Sequence, residues 1–217
     1  YGDHRDLHYP LRRQRQMCIR DRFMKFSDPM KLFSLWLNEA KDNEINDYNA
    51  CCLATCDVAG IPSARMVLIK HFDERGFVFF TNLHSRKAKE FERNVRVALC
   101  FHWKSIKKQI RIEGPLLELP KNESDNYFES RSRESQIGAW ASKQSSHLPK
   151  GYKSLEESIE FYEAKYKGQV VPRPNFWSGR IVVPERIEFW KDVKDRLHER
   201  VLFKTDNDKW LKEFLYP

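Results

Sequence analysis

The feature that most constrains this chain is a succession of short segments rich in β-branched and aromatic residues, each closed by turn residues. Residues 50–56, 63–71, 77–82, 95–103 and 108–119 read as strands, and a second β region spans 178–214. Asp57-Val-Ala-Gly60 and Asp73-Glu-Arg-Gly76 place glycine where a hairpin loop needs a backbone that other residues resist. Helices are fewer. Ser27 or Asp28 can cap one with Pro29 in its first turn, and Leu32, Phe33, Leu35, Trp36, Leu37 and Ala40 give it a broad apolar face. Others are expected over 86–94, 121–140 and 155–167, with 168–174 as a loop. Hairpins outnumber βαβ units, so the fold expected is mainly β: an antiparallel barrel with peripheral helices rather than a doubly wound sheet.

A chain of 217 residues suits one large domain, and 41% hydrophobic residues are too many for a disordered one. No repeat or linker divides 26–217, which is expected to form a single domain. No apolar run reaches about 18 residues and the chain opens on no apolar leader, so the expected location is cytoplasmic. The net charge of +8 invites a nucleic-acid reading, but residues 1–25 hold seven Lys or Arg against three Asp, half of the excess. That tract has no apolar period and is expected to be disordered; RRQRQMCIRDR resembles translated adapter sequence, which makes Met17 or Met24 candidate starts. Cys18, Cys51, Cys52, Cys56 and Cys100 form no CxxC pair and show no metal-ligand spacing, so reduced, mostly buried thiols are expected and no metal site.

Several residues look chemical. Ser85-Arg86-Lys87 opens a helix with two cations in its first turn, against the dipole, a conflict that an anion would resolve and that a solvated basic end would also tolerate. Tyr127, Arg131 and Ser135 fall at i, i+4 and i+8; on one continuous helix they form a stripe of donors suited to phosphate, or a plain polar surface. Arg196, His198 and Arg200 share a face if 196–200 is a strand, where three such groups repel unless something anionic or electron-rich covers them. Arg65 and Lys70 end an apolar strand and leave it on opposite faces. No P-loop, GxGxxG, GxSxG or paired-carboxylate pattern is present, so side chains must hold any phosphate.

Arg65-Met-Val-Leu-Ile-Lys70, Phe79-Phe-Thr-Asn82 with Ser85-Arg-Lys-Ala88, Ser135-Gln-Ile-Gly-Ala-Trp140 with Ser142-Lys-Gln-Ser-Ser146, and Ile187-Glu-Phe-Trp190 with Arg196-Leu-His-Glu-Arg200 closely resemble the pyridoxamine 5′-phosphate oxidase family. The likeness runs in order from about Asp28 to Pro217. It implies a split β-barrel that binds FMN at a homodimer interface and oxidises pyridoxamine or pyridoxine 5′-phosphate to pyridoxal 5′-phosphate, with O₂ as acceptor and hydrogen peroxide released. By resemblance, the cofactor site comprises Arg65, Met66, Val67, Leu68, Ile69, Lys70, Phe80, Thr81, Arg86, Lys87, Gln109, Gln144, Ser145, Trp190 and Arg200, some from the partner subunit. Lys70, Tyr127, Arg131 and Ser135 would clamp the substrate phosphate, and Arg196 and His198 would lie over the substrate ring as the catalytic pair. The family's N-terminal lid has no confident counterpart here, since Tyr9, Arg12 and Arg13 sit in the odd tract.

Three other readings compete. A split-barrel reductase using a nicotinamide should lack the phosphate clamp, and a non-catalytic FMN or pyridoxal phosphate carrier should lack Arg196 or His198. A nucleic-acid binder should lose its affinity with residues 1–25. The clamp and both catalytic candidates are present, which favours the oxidase.

Overall fold

The computed structural model describes residues 26–207 and 209–217; the expectations for residues 1–25, including Tyr9, Arg12 and Arg13, lie outside them. Helix α1 (Pro29–Asn43) starts where Asp28 Oδ1 accepts the Met30 N–H at 2.8 Å, with Pro29 at its first position. It buries Leu32, Phe33, Trp36 and Ala40, while Leu35 faces outward.

Strands β1 (Ala50–Cys56) and β2 (Pro62–Leu68) form a hairpin. Its loop is built by Asp57, whose Oδ1 accepts from the N–H groups of Ala59 and Ile61 at 2.9 Å, and by Gly60 at φ +82°. β2 ends at Leu68, short of the expected 71. Ile69 N–H donates to Asn49 O and Lys70 N–H to Val78 O, both at 2.9 Å, so the chain leaves one sheet edge and crosses to another. There β3 (His71–Asp73) and β4 (Gly76–Asn82) form the second hairpin. Gly76 is obligatory: its φ is +142°, and a Cβ would lie 2.1 Å from Val182 O.

The remaining strands are β5 (Arg96–Trp103), β6 (Lys108–Glu118), β7 (Trp177–Val182), β8 (Arg186–Lys191), β9 (Glu199–Asp206) and β10 (Lys209–Leu215). All pairings are antiparallel, in the order β10-β9-β8-β6-β5-β1-β2, with β3, β4 and β7 attached through the far end of β6. β6 therefore serves two sheets: residues 108–113 pair with β8, and 116–118 pair with β7. The switch falls at Gly114, where a Cβ would stand 1.9 Å from Val183 O. The result is a split barrel, as expected.

The barrel is filled around Phe33, whose ring lies edge-on to Phe72, Phe77 and Phe101 at 4.9, 4.8 and 5.3 Å. Trp36 meets Phe189 at 5.2 Å, which fastens α1 across the sheet. A second apolar cluster of Phe128, Ile137, Tyr166, Val171 and Trp177 holds helices α3 (Lys121–Glu129), α4 (Arg133–Ala141) and α5 (Lys153–Lys165) against β4 and β7. The helix α2 (Arg86–Phe91) is shorter than the expected 86–94.

Two expected elements are corrected. The helix expected over 121–140 is broken at 130–132, because Ser132 Oγ caps α4 by accepting from Ser135 N–H, and Gln136 Nε2 donates to the last carbonyls of α3 at Phe128 and Glu129. Tyr127, Arg131 and Ser135 are thus not one helical stripe. Nor do Arg196, His198 and Arg200 share a strand: Lys194–Arg196 is a 3₁₀ turn with Asp195 and Arg196 at φ 62° and 61°, and β9 begins only at Glu199. The thiols are also less buried than expected. Cys51 faces the core, and burial raises its pKa well above the ordinary thiol range, whereas Cys52, Cys56 and Cys100 are half-buried; all four are free.

Candidate active site

The first group of site residues gathers where β4 runs into α2. Asn82 Oδ1 accepts the His84 N–H at 2.8 Å and turns the chain, while its Nδ2 donates to Ser142 O at 3.2 Å, which brings the end of α4 alongside. Gln144 is thereby delivered to Lys87. The Lys87 ammonium donates to Gln144 Oε1 at 3.2 Å, Thr81 Oγ1 at 3.3 Å and Ser85 Oγ at 3.4 Å, all neutral oxygens. Ser85 caps α2 by position only, its hydroxyl being turned to Lys87. Lys87 is only 7% exposed, and burial followed by repulsion from Arg65 lowers its pKa.

Beside it, the buried Glu90 collects donors. Its Oε2 accepts from Thr55 Oγ1 at 2.5 Å, Ser63 Oγ at 2.6 Å and Arg65 Nη2 at 3.2 Å, and its Oε1 accepts from Arg86 Nε at 2.9 Å. Burial alone would raise the Glu90 pKa, but the hydroxyls of Ser63 and Thr55 and the two guanidinium groups outweigh it and bring it to about 2. Arg65 is held further by Leu53 O at 3.1 Å, Thr55 Oγ1 at 2.5 Å and a short bond to Ser63 Oγ. Three cations thus stand with one carboxylate. That charge pattern and the buried Lys87 fit a phosphate group.

The second group adjoins the first through Phe80. Its ring stacks on Tyr127 at 3.9 Å and on Trp177 at 5.1 Å, and a side chain at Gly179 would collide with the Phe80 ring at 2.9 Å. Arg131 lies in the break between α3 and α4, its guanidinium 4.9 Å from the Trp177 ring centre and 5.6 Å from that of Phe128. Among the described residues, its buried Nη1 has no hydrogen-bond partner. Burial lowers the Arg131 pKa and raises that of Tyr127. A buried guanidinium nitrogen left unmatched fits an anion. Ser135 Oγ is bonded to Ser132 Oγ at 3.1 Å, and Lys70 is exposed.

The third group is on the outer face of the other sheet. Gln109, Trp190 and Arg200 are cross-strand neighbours on β6, β8 and β9. Arg200 Nε donates to Glu188 Oε1 at 2.8 Å and its Nη1 to Tyr216 O at 3.0 Å; Arg111 pairs with the other Glu188 oxygen. Burial opposes ionisation of Glu188, but Arg200 and Arg111 hold its pKa below the usual range. The His198 ring lies 4.7 Å from that of Trp190, with Nδ1 3.1 Å from Asp192 Oδ1 and 3.4 Å from Val193 N. Arg196 is exposed on its left-handed turn.

The structure thus joins Arg65, Thr81, Arg86, Lys87 and Gln144, then Phe80, Tyr127 and Arg131, and separately Gln109, Trp190, His198 and Arg200. Among the described residues, no hydrogen bond, ion pair or ring contact links the third group to the other two within the protomer. Met66 and Leu68 lie on the outer face of β2, Met66 being 64% exposed, while Ile69 is buried and Val67 half-buried. Ser145 is exposed at φ 68°. Sequence reasoning missed Glu90, Thr55 and Ser63, which hold the two arginines, Trp177 beneath Arg131, and Asp192 beside His198. Only Glu90 carried a local signal, four residues after Arg86.

The split barrel thus carries two clusters of cationic side chains, one beside a stacked aromatic set, the charge pattern of a protein that holds anionic ligands. The family profile described as pyridoxamine 5′-phosphate oxidase matches residues 37–163, and that of the pyridoxine 5′-phosphate oxidase C-terminal dimerisation region matches 177–217. Curated proteins named pyridoxine/pyridoxamine 5′-phosphate oxidase are similar over nearly their whole length. The protein of Rhizobium meliloti is 48% identical over 90% of this chain and 95% of its own, and that of Brucella anthropi 49% identical over 91% and 98%. Among solved structures, PhzG from Burkholderia lata, in complex with tetrahydrophenazine-1-carboxylic acid, superposes with a TM-score of 0.84 at 30% identity, covering 89% of this chain and 94% of that one. An FMN-binding protein of Nostoc punctiforme, related to pyridoxamine 5′-phosphate oxidase, shares the fold with a TM-score of 0.70 at 15% identity, over 89% and 100% of the two chains. The chain belongs to the pyridoxamine 5′-phosphate oxidase family and is an oxidoreductase; FMN is the cofactor that this membership implies.

Proposed function

We propose that this protein oxidises pyridoxamine 5′-phosphate or pyridoxine 5′-phosphate to pyridoxal 5′-phosphate with FMN as cofactor, O₂ as electron acceptor and H₂O₂ as product; from the amine, water is consumed and ammonia released. The observation that carries the reading is the pair of separate cationic clusters, one with buried Lys87 and the other with the unmatched Arg131 nitrogen. An oxidase of this class must grip two phosphates at once, one on the cofactor and one on the substrate. Arg65, Arg86 and Lys87 take the first, with Thr81, Gln144 and Ser145 around it; Lys70, Tyr127, Arg131 and Ser135 take the second. When bound, FMN supplies the hydride acceptor.

The protein's own contribution is placement and charge. The stacked set of Phe80, Tyr127 and Trp177 fixes the wall from which Arg131 projects, so the substrate phosphate is held at a defined point. Arg196 and His198 lie over the substrate ring, with His198 kept in place by Trp190 and Asp192. Because the third group makes no contact with the other two in the protomer, a homodimer with the cofactor between subunits is the arrangement that completes the site. The dimerisation region matched at 177–217 supports this, since it contains Trp190, His198 and Arg200. The four cysteines among the described residues are all free, which fits a reducing, cytoplasmic setting.

The likeness to PhzG raises a second reading, a tricyclic carboxylate as substrate, but the higher identity to proteins named pyridoxine/pyridoxamine 5′-phosphate oxidase, 48–49% against 30% to PhzG, favours a phosphorylated ligand. The test is to supply either vitamer phosphate aerobically and measure aldehyde and peroxide together. Equimolar pyridoxal 5′-phosphate and H₂O₂, absent with the unphosphorylated vitamers, is the expected result. Turnover of a nicotinamide in their place would move the assignment to a reductase.

A further inference from the structure

Among the described residues, Glu90 is the single carboxylate hydrogen-bonded to the cluster of Arg65, Arg86 and Lys87, and it is buried to 7% exposure. Its carboxylate accepts from four side chains, two hydroxyls and two guanidinium groups. Arg86 is otherwise largely solvent-facing, at 64% side-chain exposure, so the bond to Glu90 gives it a fixed position. Lys87 meets only neutral oxygens. Three cations against one carboxylate leave two positive charges, the match of a phosphate monoester near pH 7.

We propose that Glu90 sets the charge balance of the cofactor pocket, holding Arg65 and Arg86 ready while restraining the pocket's attraction for the phosphate group of the flavin. The inference rests on the assignment of the FMN phosphate to this pocket. Two opposing consequences follow. Without Glu90 the two guanidinium groups lose their shared counter-ion, which weakens the flavin-free fold. At the same time a like charge close to the phosphate is gone, which strengthens attraction for FMN but not for riboflavin, its uncharged counterpart. A residue that only braced the two arginines would, once removed, lower the affinity for FMN and leave that for riboflavin unchanged, so the ratio would fall rather than rise.

The full-length protein is stripped of flavin and titrated with FMN and with riboflavin by fluorescence quenching, and the ratio of the two affinities is read. Glu90→Gln should raise the preference for FMN by about tenfold or more and steepen its loss with salt, while lowering the melting temperature of the flavin-free form. Glu90→Asp, which keeps the charge, should stay within about threefold of the parent ratio. Arg86→Gln should lower the ratio at least about tenfold, and the double variant Arg86→Gln/Glu90→Gln, which restores two net charges and leaves fewer unpaired groups to disturb folding, should recover most of that loss. An unchanged or lowered ratio in Glu90→Gln, or a double variant no better than Arg86→Gln, overturns the proposal while a clear Arg86→Gln loss keeps the phosphate assignment. If Arg86→Gln and Glu90→Gln both leave the ratio untouched, the phosphate is held elsewhere and the assignment itself fails.

Discussion

Arg131→Met separates what this pocket is built for from what the fold needs. The guanidinium is buried against Trp177 and Phe128, and its Nη1 finds no partner among the described residues. An unmatched buried donor costs about 1–3 kcal/mol, more when charged. The two cation–π contacts return about 0.5–1 kcal/mol each. Methionine fills similar volume without the polar atoms, so the exchange should leave the ligand-free protein unchanged or more stable by up to ~2 kcal/mol. For a chain of this size that is at most about 8 °C in melting temperature, from roughly 2–4 °C per kcal/mol. Function should move the other way. Losing two charge-assisted hydrogen bonds of about 1.5–3 kcal/mol each predicts a KM for the phosphorylated substrate raised roughly 10²- to 10⁴-fold. The assay is paired: thermal unfolding of the protein stripped of flavin and substrate, and steady-state kinetics of the flavin-loaded protein on pyridoxamine 5′-phosphate. A protein destabilised by more than about 1 kcal/mol with KM unchanged would show that Arg131 is a packing residue and refute the reasoning.

Other outcomes test separate links. Gly114→Ala places a Cβ on Val183 O and strains the flanking bonds Val183 N–H to Pro115 O and Glu185 N–H to Glu113 O; a loss of about 3 kcal/mol or more is expected in urea unfolding. Glu90 has its pKa lowered to about 2, so its stabilisation is complete above the ordinary carboxyl value near 4.3 and is lost as pH falls towards 2. The stability gap between the parent and Glu90→Gln should therefore close over that window, and a gap constant from pH 7 to 2.5 would contradict it. Arg196→Ala should cut turnover far more than FMN affinity, whereas Arg86→Ala should weaken FMN retention first; equal effects on both quantities in either variant count against the roles given.

Much of this architecture was legible in the residues because the hairpins announce themselves. Asp57 and Gly60, like Asp73 and Gly76, fix loops that local chemistry dictates, and strand ends followed within a residue or two for most elements. What failed to show was whatever depends on side chains meeting from afar. The break at 130–132 needs Gln136 to reach back to the carbonyls of Phe128 and Glu129, and the polar run 129–136 carries no glycine, proline or apolar period to mark it. The turn at Lys194–Arg196 is held in left-handed geometry by residues other than glycine, which propensity argues against. The i, i+4 spacing from Arg86 gave only half of the Glu90 site, because its other partners Thr55, Ser63 and Arg65 come from the β1–β2 hairpin, 25 to 35 positions away. The resemblance supplied Arg65 and Arg86, but their packing shows why they stay where they are.

The most direct measurement is anaerobic mixing of the FMN-loaded protein with pyridoxamine 5′-phosphate while oxidised flavin absorbance is followed. Rapid bleaching, reversed on admitting air with release of pyridoxal 5′-phosphate and peroxide, is the predicted result. Flavin that stays oxidised with this substrate and with pyridoxine 5′-phosphate, yet bleaches with a nicotinamide, would contradict the account.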